Sequence, residues 1–148
     1  MLDNLNGQII DILKADGRAS NASIARSLGV SEGTIRRRLN MLIEGDIVNV
    51  NVSLNPGKLG FYTEAIIGVQ VDPDKIDLVS EGLTGLEEID WVSVTTGSFD
   101  IFAWVTLESA EKLGVFLRTQ VGTISGVRKT ETFMCLSMRK DRNRRIQE

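Results

Sequence analysis

Hydrophobic positions recur at helical spacing along the first part of the chain. Leu5, Ile9, Ile12 and Leu13 form an i, i+4, i+7, i+8 stripe, the mark of an amphipathic helix. Asp3 precedes it in the N-cap position, and Gly17 is placed to end it as a left-handed cap. Ser20 or Asn21 can cap a second helix with Ile24, Ala25 and Leu28 inward, and Gly29 breaks it. Ser31 starts a third helix, with Thr34 three residues on and Ile35, Leu39 and Leu42 as its buried stripe. From position 46 the period changes to two. Ile47, Val48, Val50, Val52 and Leu54 are interleaved with Asn49, Asn51 and Ser53, a strand-like pattern. The pattern over 1–54 predicts three helices and a short strand pair, a helix-turn-helix followed by a wing.

Asn55, Pro56, Gly57, Lys58 and Gly60 punctuate the chain and predict a linker over 55–61. A second unit follows over 62–138. Residues 62–71 read as a strand. Asp72 and Pro73 form an N-cap and N1 pair opening a helix with Ile76, Val79 and Leu83 inward, closed by Gly82 and Gly85. Residues 88–96 read as a strand, Gly97 and Ser98 as a turn, and 99–107 as the returning strand. A helix over 109–121 buries Leu113, Phe116, Leu117 and Val121, and 127–138 forms the last strand. The order β-α-β-β-α-β predicts a ferredoxin-like unit, so the fold class is α+β.

That order places both helices on one face of a four-stranded sheet. The strand from Phe99 is nevertheless apolar on both faces, with Ile101, Ala103, Val105 and Leu107 one way and Phe102 and Trp104 the other. A wet sheet face alternates more cleanly, and contiguous exposed apolar surface marks an interface. A homodimer through Phe102 and Trp104 is expected, the alternative being cover by the linker or the tail.

Charge separates the same two units. Residues 1–60 carry seven basic and six acidic groups, residues 61–138 five and twelve, and the basic tail 139–148 five and two. The net charge of −3 therefore conceals a local basic face. Burying Ile35, Leu39 and Leu42 turns Gly33, Arg36, Arg37 and Asn40 outward, with Glu32, Thr34 and Arg38 flanking. Three consecutive arginines behind a Ser31 and Thr34 start suit a helix that meets base edges and phosphates of double-stranded DNA. The plainer alternative is a solvated face on a small helical bundle.

The chain has no histidine and one cysteine, Cys135. That composition removes Ser-His-Asp and Cys-His catalysis, His/Cys zinc sites and an internal disulfide. A binding protein without a cofactor, in a reducing cytoplasmic compartment, is the expectation, and an enzyme is not. No apolar run approaches the ~18 residues of a membrane span.

The segments 16–21 (DGRASN), 24–48 (IARSLGVSEGTIRRRLNMLIEGDIV), 54–61 (LNPGKLGF), 97–102 (GSFDIF) and 126–132 (GVRKTET) resemble, in that order and spacing, the Lrp/AsnC or feast/famine family of transcription regulators. Asn6 stands where many members carry a second acidic residue, and Ser125 where a proline commonly precedes Gly-Val. The resemblance implies winged helix-turn-helix DNA binding by Ser31, Gly33, Thr34, Arg36, Arg37, Arg38 and Asn40. It also implies homodimers assembling further, for example to octamers, and an amino acid or related metabolite as effector. By matching position, the effector residues are Thr96, Gly97, Ser98 and Asp100, with Thr130 and Thr132 beside them. A carboxylate at a turn can accept an ammonium, and N–H groups around a glycine can hold a carboxylate. The alternative for Asp100 is a structural cap on its own turn. The alternative function is effector-independent DNA binding, or a helix-turn-helix used for protein contacts.

Overall fold

Three side-chain oxygens start the three helices of the first unit. In the computed structural model, which describes residues 3–139, Asp3 accepts a hydrogen bond from the Asn6 N–H and opens α1 (Asn4–Ala15). Ser20 accepts from the Ser23 N–H to open α2 (Asn21–Leu28), and Ser31 from the Thr34 N–H to open α3 (Glu32–Glu44). Each cap satisfies one of the N–H groups that a helix start leaves unpaired. Gly29, at φ +67°, makes the left-handed turn from α2 to α3, a conformation open to glycine at no steric cost. Ile9, Ile24, Ala25, Ile35 and Leu42 meet as the core, with Leu5, Leu13 and Leu28 packed against it.

Two expectations for this unit are corrected. Helix α1 ends on Asp16, in extended conformation, rather than on Gly17. The Asp16 carboxylate accepts from the Arg18 N–H at 2.9 Å and its carbonyl from the Ala19 N–H at 3.1 Å, so an Asx turn does what a left-handed glycine was expected to do. After α3 the left-handed position is taken by Asp46 (φ 54°). The wing is absent: residues 46–55 form no strand among the described residues. The Ile47 and Val48 N–H groups both donate to the Leu42 carbonyl, and Val50 and Val52 are 75% and 85% exposed. One alternating run gives a strand its faces but not its partner. No second run precedes the 3-10 turn Pro56–Leu59, and a lone strand has nothing to pair with.

The chain divides into two compact units, Met1–Val52 and Ser53–Glu148. The second contains β1 (Thr63–Val71), α4 (Ile76–Thr84), β2 (Ile89–Val94), β3 (Ile101–Leu107), α5 (Ala110–Thr119) and β4 (Val127–Met134). The strands pair antiparallel in the order β2-β3-β1-β4, the ferredoxin-like arrangement the pattern predicted. Ala65, Ile67 and Val69 of β1 and Ile101 and Val105 of β3 form one core with Val79 and Leu83 of α4 and Leu113 and Phe116 of α5. Helix α4 begins at Ile76, not at Pro73, and its cap position, Lys75, makes no side-chain bond. Asp72 is held instead in the preceding turn: its N–H donates to the Gly126 carbonyl at 2.9 Å, and its carbonyl accepts from the Lys75 N–H at 2.8 Å. Strand β3 begins two residues later than expected, and β4 ends at Met134 rather than Met138.

Among the described residues of this unit, no helix lies on the other face of the sheet. Register places Ile66 opposite Trp104 and Phe133, Trp91 opposite Trp104, and Gly68 opposite Phe102. Phe99 lies across Gly68 and packs edge-on against Phe102 and Phe133, with ring centroids 5.5 and 6.1 Å apart. Phe133 remains 44% exposed and Trp91 52%. A Cβ added to Gly68 would stand 2.8 Å from Phe99 Cγ. Gly68→Ala is therefore expected to displace the ring and lower stability by about 1–3 kcal/mol, the usual cost of overpacking, read as a lower denaturant midpoint of the full chain.

Candidate nucleic-acid interface and effector turn

The three arginines of α3 have three different surroundings. Arg36 donates to the Glu32 carboxylate at 2.9 Å, an i, i+4 pair with both side chains about half exposed or more. Arg37 is exposed and has no hydrogen-bond or ion-pair partner among the described residues. Arg38 turns back: its Nη1 donates to the Asp3 carboxylate and, at 3.1 Å, to the Asn6 side-chain oxygen, and its side chain is only 25% exposed. The expectation that Arg38 flanks the free face is corrected accordingly, and the Asn6 departure is one of the groups that hold it. Gly33, Arg36, Arg37 and Asn40 line one open concavity of about 420 Å³ with Met41 and Glu44. Ser31 and Thr34 sit at the helix start with their hydroxyls 2.9 Å apart.

In the second unit Thr96, Gly97, Ser98 and Asp100 occupy the turn between β2 and β3. Gly97 takes φ +118°, which a side chain would oppose. The turn is tied to the end of β1. The Asp100 N–H donates to the Val69 carbonyl at 2.9 Å, the Val71 N–H donates to Asp100 Oδ2 at 2.8 Å, and Gln70 donates to the Ser98 carbonyl at 2.9 Å. Asp100 is thus half-buried and caps β1 with one carboxylate oxygen, while the other has no hydrogen-bond partner among the described residues. Thr130 lies across β1 from this turn, paired with Val69. Thr132 pairs with Ile67, two residues and about 7 Å farther along β4 than Thr130, which carries it away from the turn. Gln70 was not singled out from the sequence: its contact spans 28 residues, and only the register of β1 reveals it. The basic tail lies outside the described residues except for Arg139. Among the described residues no helix is long and apolar enough to cross a membrane, and no group of three or more His, Cys, Asp or Glu is placed to hold a metal ion.

Comparison with known proteins gives both units the same assignment. The AsnC-type helix-turn-helix domain matches residues 2–43, and the Lrp/AsnC ligand binding domain matches residues 64–145. The chain belongs to the Lrp/AsnC family. Among Lrp/AsnC relatives, an uncharacterized HTH-type transcriptional regulator of Pyrococcus furiosus is 40% identical over 141 residues, covering 95% of each protein. The HTH-type transcriptional regulator Ptr1 of Methanocaldococcus jannaschii is 36% identical over 142 residues, 95% of this chain and 96% of that one. The solved structure of AsnC from E. coli superposes with a TM-score of 0.86 at 27% identity, covering 96% of this chain and 99% of that one. A Neisseria meningitidis transcriptional regulator solved as its L-Met complex shares the fold, with a TM-score of 0.87 at 20% identity over 95% and 94% of the two chains. This Lrp/AsnC protein is a DNA-binding transcriptional regulator and not an enzyme.

Two outcomes follow from the hydrogen bonds. Arg38 first, then the Asn6 N–H, hold the Asp3 carboxyl below its ordinary pKa. A depressed folded-state pKa contributes stability that is fully present above the unfolded value, about 3.9, and is lost as pH falls through the folded value. The helix signal of Asp3→Asn is therefore expected to match wild type more closely at acid pH than at pH 7 under equal denaturant. In the second unit, Asp100→Ala leaves the Val71 N–H without its acceptor and is expected to cost about 1–3 kcal/mol, whereas Asp100→Asn, which retains an acceptor oxygen, costs less. Denaturant titration of the two variants reads the difference.

Proposed function

We propose that this regulator reads a duplex operator with α3, as a homodimer assembling further, and answers to an amino acid or similar zwitterion held at the 97–100 turn. The observation that carries the DNA reading is Arg37, a fully available guanidinium at the centre of an outward helix face. Arginine bonds guanine in a bidentate fork and asparagine bonds adenine in the same way, which suits Arg37 and Asn40. Arg36, held by Glu32, is better placed for phosphate. Ser31, Gly33 and Thr34 complete the leading turn, where helix N–H groups favour a phosphate oxygen. Phe102 and Trp104, on the sheet face away from α4 and α5, are the proposed dimer contact. A second sheet over that face would remove Ile66 and Phe133 from water as well, and octamers or similar rings follow from the family resemblance.

The effector reading rests on the free oxygen of Asp100 for an ammonium and on the open backbone at Gly97 for a carboxylate, with Thr96, Ser98 and Thr130 around them. The family's description of this domain as ligand binding and the L-Met held by the Neisseria regulator support the same class. Thr132 is the weakest member of the proposed set, given its distance along β4. A ligand that bridges two copies favours the assembled state and shifts its population. The bond from the Val71 N–H to Asp100 favours a second reading, in which the turn is structural and the regulator acts without effector.

Three measurements decide among these. Sequencing the duplex fragments retained at physiological salt defines the operator. On that operator Arg37→Ala is expected to lose about 1–3 kcal/mol of binding, and equal affinity would remove α3 from the contact. Sedimentation of the full chain is expected to show a dimer or larger species, reduced to monomer by Trp104→Glu. Calorimetric titration of the twenty amino acids is expected to find a binder. Asp100→Asn then keeps the fold and loses that binder, and undiminished binding would move the pocket elsewhere.

A further inference from the structure

Arg38 lies on the flank of α3 between the two residues that anchor the helix. At about 100° per residue, Arg37 stands roughly opposite Ile35, while Arg38 stands only about 60° from it. Ile35 and Leu42 are fully or almost fully buried and lie nearly on one line along the helix. Two anchors on one line fix the position of a helix but resist its rotation about its own axis poorly. The bond to α1 supplies that resistance. Asp3 Oδ1 caps α1 at 2.9 Å from the Asn6 N–H, Asp3 Oδ2 accepts from Arg38 Nη1, and Asn6 Oδ1 accepts from the same nitrogen at 3.1 Å. One carboxylate thereby joins the start of α1 to the middle of α3.

We propose that Arg38 is a positioning residue for DNA recognition. Its bonds to Asp3 and Asn6 set the rotation of α3 and so aim Arg37 and Asn40 at the duplex, and Arg38 itself contacts no phosphate. The proposal rests on the reading of α3 as the DNA-contacting helix.

The sign of one substitution separates this role from simple charge. Asparagine caps a helix about as well as aspartate, so Asp3→Asn keeps α1 and removes only the ion pair. Removing a negative charge from a DNA-binding unit should tighten binding on electrostatic grounds alone. Loss of the positioning bond predicts the opposite, a weakening of about three- to tenfold, in the lower part of the coupling found between contacting side chains. Arg38→Gln is expected to weaken binding similarly while leaving the slope of log affinity against log salt unchanged. A phosphate-contacting arginine would instead lower that slope by about one. The double variant is expected to bind no worse than Arg38→Gln alone.

The experiment is a salt titration of operator binding by the full-length wild type and the three variants, each checked for wild-type helix content by circular dichroism. Tighter or equal binding by Asp3→Asn, or a slope reduced by one in Arg38→Gln, overturns the positioning role while leaving α3 as the recognition helix. A wild-type protein that shows no salt-dependent, sequence-selective binding overturns the parent reading, and this one with it.

Discussion

A four-stranded sheet has two faces, and the described helices of its own unit, α4 and α5, cover one. Ala65, Ile67, Val69, Ile101 and Val105 close over α4 and α5, so the apolar residues of the other face must find cover differently. Part of the answer is internal. Phe99, just outside β3, lies over Gly68, and Phe102 and Phe133 meet it edge to face, an arrangement aromatic rings prefer to flat stacking. Gly68 is the condition for this: any side chain there would occupy the space of the ring. The cover stops short of Trp91 and Phe133, which stay about half exposed. The turn that carries Asp100 is part of the same construction, because it is what delivers Phe99 to that face.

What could be read from the sequence was what depends on neighbours within about four residues. Asp3, Ser20 and Ser31 cap their helices, Gly29 turns the chain between α2 and α3, and the alternation of β1 and β3 sorts their faces. The failures have physical causes of two kinds. Some are local competitions: Asp16 bonds its own backbone and ends α1 before Gly17 is needed, and Asp72 sits in a turn closed by the Lys75 N–H on its carbonyl, so that α4 starts only after it. Others are long-range partnerships with no local trace. Asp3 and Arg38 are 35 residues apart, Gln70 and Ser98 are 28 apart, and residues 46–55 have a strand's alternation with no strand beside them.

The proposed functional residues divide along the same line. The outward set on α3 follows from helical geometry once Ile35 and Leu42 are buried, so Gly33, Arg37 and Asn40 were accessible to inspection. Consecutive identical residues concealed a difference that only tertiary structure supplies: Arg36 is paired within its helix, Arg37 is free, and Arg38 is engaged by another helix. Thr130 and Thr132 are alike in sequence, yet register separates them along β4. In both cases type and spacing gave the face, and a contact from elsewhere in the chain gave each residue its surroundings.

The placement of the two tryptophans has an optical consequence. Trp91 and Trp104 are the only tryptophans in the chain, they face each other across β2 and β3, and both lie on the side of the sheet away from α4 and α5. Indole emission depends on the water around the ring, so the intrinsic fluorescence of this protein is a report from that one surface. Whatever covers the sheet changes the emission without any label being attached. The helix-turn-helix unit contains no indole, so all of that emission originates in the second unit.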